Sequence, residues 1–354
     1  MVGAHAGTHV NNFDLLRLGA AVSVIFSHAF LLAEGHQNNE PLVALTGQAV
    51  LGLMGVFVFF VISGFLVTQS YEHTRSTPRF LLKRFLRIYP GLTACLMFCA
   101  LALGAAVTLL PIGDYFRSPS FHRFITMNLL MQVDVNTLPG VVFTTFDIGR
   151  IVNGPLWSLP YELAMYGMVA VLGLLGRLNV KFIGALFGIG IAAALYDTSV
   201  WRNFVGGFLW LLPFFTAGML MYKLQGPWLF DRRLAVLAVV GLVISAGIHE
   251  LIALFPIFGG YLVIQIALDK RLPNLRAARF GDFSYGLYIY GWPVEQTLLW
   301  TTGGRLAWWG LFALGLPVTA GLAYLSWHLI EKPALSLKPR EAARPVATRR
   351  KKAA

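Results

Sequence analysis

The sequence predicts an all-α, polytopic membrane protein with about ten transmembrane helices, and three observations predict it. Of its 354 residues, 57% are hydrophobic and only 12% charged, whereas soluble globular chains carry about 25% charged residues. The mean hydropathy is +0.67. Apolar stretches, each near the roughly 20 residues that cross a hydrocarbon core, recur from Phe13 to Trp327 and leave no room for a soluble domain.

Taken in order, the spans are expected near residues 13–33, 43–70, 88–110, 155–175, 182–197, 204–222, 234–249, 251–268, 280–300 and 306–329. The first lacks a preceding basic region and a small-residue cleavage site, so it is expected to be retained and not removed as a signal peptide. Most of the 28 Lys and Arg residues fall in alternate connections and in the tail. They include Arg75, Arg79, Lys83, Arg84 and Arg87; Arg177 and Lys181; Lys223, Arg232 and Arg233; and Lys270 to Arg279. The positive-inside rule therefore places both termini in the cytoplasm. It also accounts for the net charge of +12 without nucleic acid as a partner.

Residues 1–337 are expected to form one membrane domain and 338–354 a disordered basic cytoplasmic tail resting on anionic lipid. The connection at about 111–154 is too long for a simple loop and is expected to be an extracytoplasmic lid or acceptor-binding element. Within it, the stretch from Phe121 to Gln132 reads as an interfacial helix. Cys95 and Cys99, four apart in one apolar run, lack further ligands at metal spacing and read as packing residues, so no metal is expected.

Ionisable residues within spans are costly and either pair with each other or serve a function. Arg17 and His28 are eleven residues apart, which puts them on one helical face at depths about 16 Å apart. Asp14 lies one turn before Arg17, so a buried ion pair explains the arginine as well as a functional role does. Glu162, entering from the opposite side, falls at about the depth of His28. A carboxylate there would fix the imidazole tautomer and make His28 a general base, whereas pairing of Glu162 with Arg150 or Tyr166 is the structural alternative. Arg84 and Arg87, one turn apart at the start of the third span, are either positive-inside anchors or a clamp for the phosphates of an anionic cofactor. Ser63 precedes Gly64 in the second span, where close helix packing is the commoner reason for glycine.

These residues stand in motifs that resemble the acyltransferase-3 family of bacterial membrane O-acyltransferases. Asp14-Leu-Leu-Arg17 followed by His28 is similar to the family's arginine, ten residues, histidine signature. Gly55 to Phe65, Lys83-Arg84-Phe-Leu-Arg87-Ile-Tyr-Pro90 and Trp157-Ser158-Leu159-Pro-Tyr-Glu162 resemble its next motifs in the same order. Gly281-Asp282-Phe283-Ser284-Tyr285-Gly-Leu-Tyr288 and Glu331-Lys-Pro333 also fit, whereas Gly291 stands where many members have histidine.

The resemblance implies a stand-alone membrane domain in the bacterial cytoplasmic (inner) membrane. It also implies acyl-coenzyme A, usually acetyl-CoA, as cytoplasmic donor, and a hydroxyl of a cell-surface glycan or lipid-linked sugar as acceptor. His28, Glu162 and Arg17 are then the catalytic candidates, and Arg84, Arg87 and Ser63 the donor-side candidates. Trp157 and Ser158 are candidates for acceptor binding; Trp292 and Trp300 could also stack on a sugar. The alternatives are a transporter of a polar or lipid-linked solute, and an acyltransferase acting on a small molecule or lipid.

Overall fold

The computed structural model describes residues 11–74, 76–132, 135–196, 203–269, 271 and 281–338. All regular structure among them is helical. A helix satisfies its own backbone hydrogen bonds, which lipid cannot do for it.

Helix α1 (Phe13–Glu34) ends at Gly35, whose φ of 77° supplies the left-handed cap. The expected second span is broken into α2 (Pro41–Thr46) and α3 (Leu51–Thr74). Glu40 caps α2 through the Leu42 and Val43 amides, and Gly47 closes it at φ 68°. Helix α4 (Thr77–Met97) continues through a π-helical turn, Phe98–Leu103, into α5 (Gly104–Val107). Next come α6 (Ile112–Arg117), α7 (Pro119–Leu129) and a 3-10 turn, Asp147–Arg150.

A second 3-10 turn, Gly154–Ser158, leads into α8 (Leu159–Leu174). It is followed by α9 (Val180–Tyr196), α10 (Phe204–Lys223), α11 (Arg232–Gly247), α12 (Leu251–Leu268) and α13 (Ser284–Thr301). The described chain ends with α14 (Trp308–Ser326), the π-helical turn Trp327–Glu331 and α15 (Lys332–Ser336).

Helices occupy all ten of the expected stretches, and among the described residues six are long and apolar enough to cross a membrane. The expected start of the third span at residue 88 is corrected to Thr77. Pro78 occupies the first turn, where its missing N–H costs nothing, and the helix then runs through the basic segment without a break. Arg84 and Arg87 therefore lie within a helix and not in the connection before it. A helix, α7, runs through most of the 121–132 stretch, where one was expected. Cys95 and Cys99 are buried as free thiols. Residues 339–354 of the basic tail lie outside the described residues.

Helix α1 packs between α3 and α13, α3 against α10, and α13 against α14. Gly64 and Gly218 make the α3–α10 contact reciprocal. A Cβ on Gly64 would strike the Phe215 carbonyl, and one on Gly218 the Val61 carbonyl. Gly64 thus serves helix packing, as small residues do between membrane helices.

The described part of the 111–154 segment meets the C-terminal end of α1 where the Phe146 ring lies against Gly35. Trp292 Nε1 donates to the Ile151 carbonyl at 2.9 Å and Gln296 Nε2 to that of Ile148 at 3.0 Å, tying the segment to α13.

Candidate active site

Two cavities lie along α1. The one toward the N-terminal end of α1, termed the inner cavity, of about 370 Å³, is lined by Arg17, Arg84, Arg87 and Lys338 together with Glu162 and Asp282. The outer one, of about 330 Å³, is lined by His28, Ser27, Gln37, Trp157 and Trp292 among others.

In the inner cavity Asp282, just ahead of α13, gathers the arginines. Arg87 Nη2 donates to Asp282 Oδ2 at 2.5 Å, and Arg17 Nη1 approaches the same oxygen at 3.4 Å. Arg87 Nη1 also lies 3.9 Å from Glu331 Oε2. The expected Asp14–Arg17 ion pair is replaced by Arg17–Asp282, because α1 packs on α13 and brings Asp282 to the Arg17 side chain.

Arg84 is held differently. Its Nη2 donates to Ser70 Oγ at 3.4 Å, and its guanidinium lies 5.7 Å from the Tyr166 ring centroid and 5.9 Å from that of Phe80. Its buried Nε has no hydrogen-bond partner among the described residues. A guanidinium held by aromatic faces and not by a carboxylate keeps its charge for an incoming anion. Lys338 closes the same cavity. Burial, and then the charges of Arg84, Arg87 and Lys83, push its pKa down to about 8.

Glu162 faces this inner cavity. It accepts hydrogen bonds from Ser63 Oγ at 3.1 Å and from the Tyr166 hydroxyl. The expected Glu162–His28 hydrogen bond is not made. The two residues line different cavities, and the nearest acceptor for Tyr166, one turn along α8, is Glu162 itself.

His28 stands in the outer cavity with its ring edge-on to Trp292, centroids 4.9 Å apart. Its Nδ1 is buried without a hydrogen-bond partner among the described residues, which leaves the imidazole free to take one from a bound molecule. Gly291, one residue before Trp292, turns its α-carbon toward α1. A Cβ there would meet Ile25 Cγ1 at 2.8 Å, so in this chain position 291 serves the α1–α13 contact.

The Trp157-Ser158 pair straddles the boundary between the cavities, with Trp157 in the outer and Ser158 in the inner. Ser158 Oγ and the Tyr288 hydroxyl are 2.7 Å apart, and Tyr288 also donates to the Pro155 carbonyl at 2.8 Å. Trp300, by contrast, lines neither cavity and is partly exposed.

Asp282, Glu331, Tyr288 and Lys338 line or border the inner cavity with no role legible in the sequence. The first three stand in motif segments and two of them are carboxylates flanking apolar helices, which was the available signal. Lys338 carried none, being one of many basic residues near the C-terminus.

The family model described as the acyltransferase domain matches residues 10–328. Nodulation protein 10 of Rhizobium leguminosarum bv. viciae is 31% identical, over 94% of this chain and 95% of that protein. An O-acetyl transferase of Shigella phage Sf6 is 28% identical, over 91% of this chain and 95% of that protein. No solved structure matches. A domain match across nearly the whole length, with relatives aligned end to end, makes this chain a member of the acyltransferase-3 family and a transferase.

Proposed function

We propose that the protein is a multi-pass enzyme of the bacterial inner membrane that transfers an acetyl or short acyl group from acyl-CoA. The acceptor is a hydroxyl of a cell-surface or secreted polysaccharide, or of its lipid-linked precursor. The observation that carries this reading is the pair of cavities meeting end to end, one cationic and one walled by a histidine and two tryptophans. With both termini cytoplasmic and about ten spans, the cationic cavity opens to the side where acyl-CoA is found.

Arg84, Arg87 and Lys338 take the donor's phosphates, for which guanidinium groups are geometrically suited. The pantetheine arm runs past Arg17 toward His28. His28 removes the proton of the acceptor hydroxyl as its oxygen attacks the thioester carbonyl. The carbon–sulfur bond breaks, coenzyme A leaves as the thiolate, and Arg17 offsets negative charge along that path. Glu162, held by Ser63 and Tyr166, shapes the donor cavity.

The sugar acceptor is favoured by the aromatic walls of the outer cavity. Trp157 and Trp292 both line it, beside His28 and Gln37. Flat apolar faces beside polar groups suit a sugar ring.

The test is transfer of radiolabelled acetyl from acetyl-CoA to membrane glycan by purified protein in nanodiscs. Binding of acetyl-CoA that is lost in an R84A/R87A double variant, with acetyl on the glycan only when protein is present, supports the reading. A protein that neither binds nor cleaves acetyl-CoA overturns it.

A further inference from the structure

Two residues line both cavities, Val56 of α3 and Tyr288 of α13. Around them each element carries one stripe of side chains through both. On α3, Gly52 and Leu53 line the outer cavity and Phe59 and Phe60 the inner, one turn to either side of Val56. On α13, Ser284 and Tyr285 line the inner cavity and Trp292 the outer, one turn to either side of Tyr288. The cavities adjoin along α3 and α13, and Val56 and Tyr288 stand at the junction.

Both sides of this junction are held. Helix α3 sits directly on α1 through two glycines. A Cβ on Gly52 would meet Ser27 Cβ at 2.9 Å, and one on Gly55 would meet the Ala20 carbonyl oxygen at 2.6 Å. Opposite, the Tyr288 hydroxyl is anchored on Ser158 and the Pro155 carbonyl, and its ring packs against Phe59 at 5.7 Å. An opening between two fixed walls changes size chiefly through the side chain that projects into it, because close-packed interiors adapt poorly.

We propose that Val56 and Tyr288 frame the passage by which the donor's acyl group reaches His28, and that the Val56 side chain sets the longest acyl chain transferred. This rests on reading the inner cavity as the acyl-CoA site. Only the acyl group and the thioester enter the junction; the bulk of the donor stays on the Arg84 side. With the thioester carbonyl turned toward His28, the acyl chain lodges between Val56 and Tyr288, and a hydrophobic pocket discriminates by roughly 10-fold or more for each methylene, enough to separate acetyl from butyryl.

The experiment compares kcat/KM for acetyl-, propionyl- and butyryl-CoA, read as thiol release dependent on acceptor, in wild type, Val56→Ala and Val56→Ile. Loss of two methyl groups in V56A is expected to raise the butyryl-to-acetyl ratio by about 10-fold with coenzyme A affinity unchanged. The added methyl in V56I is expected to lower the propionyl-to-acetyl ratio, and it answers the question by itself if V56A does not fold. Wild-type turnover of acetyl-CoA with the same ratios in every folded variant overturns the passage and leaves the donor reading intact. A wild type that turns over no acyl-CoA overturns the donor reading, and the passage with it.

Discussion

Arg87 and Asp282, 195 residues apart, are joined by a 2.5 Å hydrogen bond that Arg17 shares at 3.4 Å. One carboxylate thus ties α1, α4 and the approach to α13, and it holds two guanidinium groups at the wall of one cavity. Asp282→Ala leaves two largely buried cations facing each other. It is expected to cost about 3 kcal/mol of stability, read as a lower unfolding midpoint in detergent, and to weaken donor binding. An unchanged midpoint would show that the shared carboxylate does not organise the cavity.

His28→Ala separates binding from chemistry. The outer cavity holds His28 and the inner cavity the cations, so acetyl-CoA affinity should stay within about twofold while acetyl transfer falls by about 10²-fold or more, the scale of a lost general base. Transfer at the wild-type rate, with normal protein abundance in the membrane, would remove His28 from the reaction.

Glu162→Gln tests the corrected position of the carboxylate. If Glu162 tuned His28, the substitution would displace the pH profile of kcat. Its bonds to Ser63 and Tyr166 predict instead a donor KM raised by about 10-fold, as when one partner of a buried charged network is lost, with the profile of kcat in place. A displaced profile at constant KM would restore the His28 partnership.

Lys338 gives a pH dependence of definite sign. Burial and the neighbouring arginines lower its pKa to about 8, so the free protein loses this cation as pH rises through 8. A bound polyphosphate raises the pKa again. Affinity for coenzyme A should therefore be flat from pH 7 to 8 and fall between 8 and the higher pKa of the complex, by about 10-fold per unit at most. Lys338→Gln should flatten the curve and weaken binding at pH 7. Titration calorimetry decides it, and equal slopes for both proteins would place Lys338 away from the phosphates.

The helices were legible from composition because an apolar run of about 20 residues has few other folds open to it in lipid. Departures arose where local chemistry interrupts that signal. Gly47 splits the second stretch, and Pro78 starts α4 early enough to draw Arg84 and Arg87 inside a helix. The same reading singled out Arg17, His28 and Glu162, since an ionisable side chain in hydrocarbon is conspicuous. Tyr288 and Val56 are ordinary residues of apolar helices, and nothing in their type marks them.

By itself the sequence determined the helical architecture and the spacing of polar residues along each helix, because rise per residue is a property of one helix. The family also followed from its motifs, read in order. Which residues meet was decided by tertiary structure, since rotation and neighbour depend on how helices pack, through contacts such as Gly64 on the Phe215 carbonyl. That is why Arg17 pairs with Asp282 and not Asp14, and why Glu162 bonds Ser63 and Tyr166 in the other cavity and not His28.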